Sequence, residues 1–266
     1  MLTAYLQGIG LIGPGLTDWQ SGARAIAGEE AYTPRPTTVP APAGLPPAER
    51  RRTGATVKLA LSVAQQAVAA AGVDSQGLPA VFSSSGGDGL ICHEICATLA
   101  SADRQLSPTR FHNSVHNAAA GYWSLATGAT AAATALCAHD GSFAAGLLEA
   151  LALVTVDRVA VLLSAYETSY PEPLRSVRPL PDSFAVALIL TPAPAPNSRA
   201  RLTAALCAAD AAPDRLSEPQ LEALRVALPA ARSLPLLRLL ARREPGEVVL
   251  DYIGGQRVAV EIAECR

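Results

Sequence analysis

Two stretches of this chain, Arg158–Tyr166 and Phe184–Leu190, are apolar at almost every position. A strand with one wet face alternates apolar and polar residues, so a strand without alternation needs cover on both faces. Leu78–Ser83, which breaks into the turn Gly86-Gly87-Asp88-Gly89, reads as a third strand of this kind. Helices on both sides of one sheet satisfy that demand, which makes the expected class a layered α/β protein. Abundant alanine, with aromatics at only 5% of 266 residues, allows helices to approach such a sheet closely.

The remaining elements fall around these strands. Residues 3–12 read as an opening strand that ends at Gly13-Pro14-Gly15, and Asp18 is placed to cap a short helix through Ala27. Six prolines between Pro34 and Pro47 make residues 33–47 an extended surface loop. Glu49-Arg50-Arg51-Arg52 reads as a solvated helix start, with a docking patch for an acidic partner as the second reading. Thr56–Ala71 carries Val57, Leu61, Ala64 and Val68 at helical spacing and stops at Gly72. Helices are expected over 90–100, 113–126 and 142–154, with a short strand over 131–136 between the last two. After the proline break at Thr191–Pro196 come a strand over 201–209, helices over 218–227 and 234–241, and strands over 247–253 and 257–262. Gly254-Gly255 supplies the hairpin turn between those last strands.

A net charge of −2 with 17% charged residues gives no electrostatic basis for binding nucleic acid or an anionic membrane. Five cysteines without framework spacing suit a reducing compartment. The N-terminal residues lack a basic segment followed by a long apolar run, and no apolar run is long enough to cross a bilayer, so a cytoplasmic location is expected.

Chemistry is expected around 107–146, which holds three of the four histidines. Cys137 or Ser142 is a candidate nucleophile with His112, His116 or His139 as base, which would make a small acyl hydrolase or transferase. The turn Ala138–Phe143 lacks the Gly-x-Ser-x-Gly elbow of serine hydrolases, and a cysteine at a strand end is more often packed than reactive. His112 and His116 would share one face of a helix, but no third ligand follows, so no metal is expected. Cys92 and Cys96, one turn apart, read as small buried hydrophobes. Gly86–Gly89 has the shape of a weak phosphate cradle without the rest of a nucleotide-binding motif. Asp140 is placed to cap the next helix.

Four segments carry a resemblance. Gln7–Gly15, Val68–Asp74, Phe82–Gly87 and Ser107–Gly121 resemble β-ketoacyl synthases, the condensing enzymes of fatty-acid and polyketide synthesis, through about Leu190. The resemblance implies a thiolase-like αβαβα layering, with a complete first half (1–196) and a reduced second half (197–266) packed into the same domain. It also places the family's active-site cysteine at Asp140, three residues after Cys137. A carboxylate there forms no acyl thioester. The family further relies on two histidines and a lysine in its C-terminal half, whereas this chain has no histidine after His139 and no lysine after Lys58.

The resemblance therefore implies a non-catalytic subunit like the short chain length factors, some of which occur with aryl polyene pathways. Its partner would be an active ketosynthase in a heterodimer, with an acyl carrier protein as a further partner and no cofactor. Residues 107–136 would form the pairing surface, with Phe111, His112, His116, Asn117, Tyr122 and Trp123 at the interface or acyl tunnel. A homodimeric binding module is a third reading, since family members dimerise by joining sheets.

Overall fold

The computed structural model describes residues 1–208 and 210–265. In chain order its elements are β1 (Leu2–Ile12), α1 (Trp19–Ala27), α2 (Pro47–Arg52), α3 (Ala55–Ala71), β2 (Ala80–Ser83), α4 (Gly89–Ala100), α5 (Pro108–Asn113) and α6 (Ala118–Thr127). Then come β3 (Ala133–Leu136), α7 (Ser142–Asp157), β4 (Val161–Glu167), α8 (Leu174–Val177) and β5 (Phe184–Thr191). The chain closes with β6 (Ala200–Cys207), α9 (Pro219–Ala227), α10 (Leu234–Arg242), β7 (Gly246–Asp251) and β8 (Arg257–Ala263). The expected strand end at Ala209 lies outside the described residues.

All eight strands form one mixed sheet in the order β3-β2-β4-β5-β1-β6-β8-β7. β2 lies parallel to β3 and β4, while β5 runs antiparallel between β4 and β1. The continuously apolar strands, β4 and β5, sit inside this sheet. Their side chains alternate between two cores. Val161, Leu163, Ala165, Val186 and Leu188 join α1, α7, α9 and α10 on one face, and Leu162, Tyr166, Ala185, Ala187 and Ile189 join α3 and α6 on the other.

Close packing of α3 explains the opening motif of the chain. A Cβ on Gly8 would overlap the carbonyl oxygen of Ala67, and one on Gly10 would overlap that of Val63. Glycine at both positions lets the α3 backbone rest on β1. Asp18 caps α1 by accepting from the Ser21 amide at 2.8 Å, and Gly72, with φ of 68°, ends α3.

The mixed α/β class holds, and residues 197–266 add to the same sheet. β6 pairs with β1, so β6, β8 and β7 lengthen the first sheet past its β1 edge. The same core contains Leu163 and Leu188 from the first half and Leu236, Leu237, Val258 and Val260 from the second.

One expected helix is broken. The spacing predicts a single helix over 113–126, but α5 ends at Asn113 and α6 begins at Ala118. The buried Asn113 amide donates to the Arg52 carbonyl at 2.7 Å and accepts from the Tyr122 hydroxyl at 3.1 Å. Short polar side chains with such partners compete with the helical backbone, and the chain turns there. His112 and His116 consequently lie on different segments and share no helix face.

Candidate functional site

The turn after β3 is where chemistry was expected. β3 ends at Leu136, residues His139–Gly141 form a single 3₁₀ turn, and α7 starts at Ser142. Ser142, 1% exposed, ties the turn together. Its hydroxyl donates to the His139 carbonyl at 2.7 Å and accepts from the Ala138 amide at 3.0 Å. Its own carbonyl accepts from Ser83 Oγ at 2.6 Å. Ser142 is thus a buried hydroxyl that holds the turn together. Cys137 is exposed, and no hydrogen bond joins it to a histidine among the described residues. His112 rests edge-on against Tyr122, and His116 Nε2 lies 3.1 Å from the Ser84 carbonyl. The nucleophile–histidine pair of an acyl hydrolase is not assembled.

Asp140 sits at the tip of the turn between two guanidinium groups. Its Oδ1 accepts from Arg178 Nη2 at 3.0 Å, and its Oδ2 accepts from Arg232 Nη2 at 3.0 Å. Arg178 Nη1 lies 2.6 Å from His139 Nε2, and His139 Nδ1 lies 3.5 Å from Asp140 Oδ1. Arg232 also donates to Asp251, which meets the buried Arg225, itself paired through two bonds with Glu222. The hydrogen bonds from Arg225 hold the Glu222 carboxyl below its ordinary range. Asp140 therefore belongs to an ion-pair chain that joins the turn, the loop before β5 and the second half. Both carboxylate oxygens are committed to fixed positive charge.

Behind this chain lies a residue that the motif search missed. Glu167, at the end of β4, is 1% exposed. It accepts from the Ser85 amide at 2.5 Å and from Ser85 Oγ at 2.9 Å. Burial pushes its carboxyl up to about 7, against the pull of those bonds and of Arg178. The signal was present in the sequence as a lone acid closing an otherwise apolar strand. Arg178, Arg232 and Asp251 carried no such local mark.

The glycine turn is no phosphate cradle. The Asp88 carboxylate occupies the α4 N-terminus by accepting from the Ile91 amide at 2.9 Å, and the Tyr170 ring lies where Cβ atoms of Gly86 and Gly89 would be. No group of three or more potential metal ligands converges among the described residues.

The expected interface residues divide. Phe111 is 62% exposed, and His112 and Asn117 are also exposed. Tyr122 and Trp123, expected at the interface or acyl tunnel, are 2% and 1% exposed and belong to the core under α3. Trp123 packs on Phe82 with ring centroids 6.4 Å apart. Being the largest apolar groups on α6, they are drawn to the inner face. Leu90, Leu99, Val115 and Leu125, on α4, α6 and the turn between α5 and α6, are exposed like Phe111. α4 packs on α5, α6 adjoins β3, and β3 is an edge strand of the sheet.

Residues 19–242 match the family model described as beta-ketoacyl synthase, N-terminal domain. The chain belongs to the β-ketoacyl synthase family. The match runs well past Leu190, where the resemblance was expected to fade. Among solved structures, the ketosynthase fold of this chain is similar to a chain of the complex of ketosynthase ApeO with its chain length factor ApeC from Xenorhabdus doucetiae. That pair is 22% identical, with a TM-score of 0.75, over 98% of this chain and 100% of the other. A chain of the ishigamide ketosynthase/chain length factor aligns at 13% identity and TM-score 0.74, covering 99% and 100% of the two chains. A β-ketoacyl synthase from Burkholderia phymatum aligns at 12% identity and TM-score 0.70 over the full length of both. At these identities the structures establish the fold. No curated protein matches the sequence.

Proposed function

We propose that this chain is a non-catalytic, ketosynthase-like subunit of chain-length-factor type that pairs with an active β-ketoacyl synthase in polyketide or fatty-acid synthesis, aryl polyene synthesis included. One observation carries the reading. The residue that the family resemblance sets in the nucleophile position, Asp140, is an aspartate clamped between Arg178 and Arg232. An ion pair occupies the place where condensing chemistry needs a free thiolate.

The edge position of β3 and the exposed apolar residues of α4, α5 and α6 support pairing through this part of the chain. So does the similarity to chains from ketosynthase/chain length factor structures. In this reading residues 1–196 are a complete first half and 197–266 a reduced second half. The exposed Arg50 and Arg51 on α2 suit an acidic partner such as an acyl carrier protein.

Co-expression with an active ketosynthase from the same genome tests the proposal. A stable complex is expected, with condensing activity that survives Asp140→Asn here and is lost when the partner's nucleophile is replaced. Absence of a complex, with product length unchanged when this chain is deleted, would overturn it. A homodimer in mass photometry that persists in the presence of the ketosynthase would favour the self-associating module instead.

A further inference from the structure

α4 is an unusual helix. Of its twelve residues only Gly89 and Ile91 are buried, while Leu90, Cys92, Cys96 and Leu99 are exposed. Its body is held by packing on α5 and by the Glu94–Arg110 ion pair at 2.9 Å. Its root is the turn Ser84–Asp88. Ser84 is fixed by its amide to the Leu136 carbonyl, and its own carbonyl lies 3.1 Å from His116 Nε2. Asp88 caps the helix, and between them Ser85 bonds the Glu167 carboxyl, with the Tyr170 hydroxyl as a further partner. The next residue, Gly86, is exposed, so solvent stands one residue from a buried carboxyl.

We propose that protonated Glu167 is a latch on the Ser84–Asp88 turn, and that its ionisation admits water and loosens α4. Protonated, the carboxyl accepts the Ser85 amide at its carbonyl oxygen and donates to Ser85 Oγ, with no charge to solvate. Ionised, it is a buried anion. The groups facing it are Arg178 from the α8 segment and Asp140 from the 3₁₀ turn, which pull in opposite directions, and the hydroxyls of Tyr166 and Tyr170, whose own ionisation it opposes. Arg178 is already shared with Asp140 and His139. Burial therefore prevails, and the closed carboxyl titrates at about 7 against an ordinary 4.5. Opening the turn hydrates the anion. The open form thus gains on the closed one as pH rises through that interval, by roughly two orders of magnitude in total.

The latch concerns the same end of the molecule as the proposed pairing surface, and only its effect on pairing rests on that reading. Hydrogen exchange of the isolated chain, read at the α4 amides and corrected for intrinsic base catalysis, tests it between about pH 5 and about pH 8. In the wild type, α4 protection is expected to fall by up to roughly a hundredfold. In Glu167→Gln, whose amide keeps both bonds to Ser85 at every pH, protection should stay level. In Ser85→Ala, protection should be lower already at the acidic end. Wild-type α4 exchange that is level with pH, or falls equally in Glu167→Gln, overturns the latch. A ketosynthase capture assay at both pH values separates the two proposals. Pairing with level α4 exchange sinks the latch alone, and pH-dependent exchange without any pairing sinks the functional reading alone.

Discussion

Asp140 and Glu167 are two carboxylates close together in the fold with opposite environments. Asp140 is partly exposed and neutralised by two arginines. Glu167 is buried with its oxygens on a serine, and burial raises it from 4.5 to about 7. The folded protein thus keeps a proton that the unfolded chain releases across that interval. The sign follows: the stability associated with this proton is complete below about pH 4.5 and is lost as pH rises through about 7. Glu167→Gln is therefore expected to match the wild type near pH 4.5 and to exceed it by about 3 kcal/mol near pH 8, as measured by urea unfolding. Parallel pH–stability curves for the two proteins would show that the carboxyl is solvated. The acid follows directly on the apolar stretch Arg158–Tyr166 in the sequence. Its partner Ser85 was not legible there, because the two are 82 residues apart in sequence.

At the scale of elements, periodicity and punctuation were informative wherever backbone geometry is local. Asp18 before α1, Gly72 after α3 and the Gly254-Gly255 pair, both at positive φ, ended elements where expected. The α5–α6 break escaped because it depends on a hydrogen bond from Asn113 to Arg52, a residue on another element. The contact of α3 with β1 makes the strongest element-level demand. Gly10→Ala puts a methyl group into the Val63 carbonyl, a backbone atom that cannot rotate away. A loss of about 1–3 kcal/mol or more is expected, read as a lowered Tm, and an unchanged Tm would mean that α3 shifts without cost. Exposed α4 makes the converse point. Its pattern is apolar on several sides, which in sequence reads as burial, whereas the monomer leaves most of it uncovered.

For the whole molecule, residues 197–266 act as structural cover. Leu236, Leu237, Val258 and Val260 are fully buried against first-half residues, and β6 closes the β1 edge. Removing residues 197–266 would expose that edge and one face of the sheet together. A fragment of residues 1–196 is expected to be insoluble or to bind hydrophobic dye strongly, while the full chain unfolds in one transition. A soluble fragment with native circular dichroism would show that the first half folds alone.

The sequence by itself determined what depends on neighbouring residues. It specified strands that need cover on both faces, helix caps, and an aspartate where the family resemblance sets a cysteine. Tertiary structure decided what depends on distant residues meeting. It brought Arg178 and Arg232 onto Asp140, hid Tyr122 and Trp123 in the core, and buried Glu167 on Ser85. The physical reason is range. Propensity and periodicity act over a few residues, whereas desolvation and ion pairing depend on which parts of the chain the packed sheet brings together.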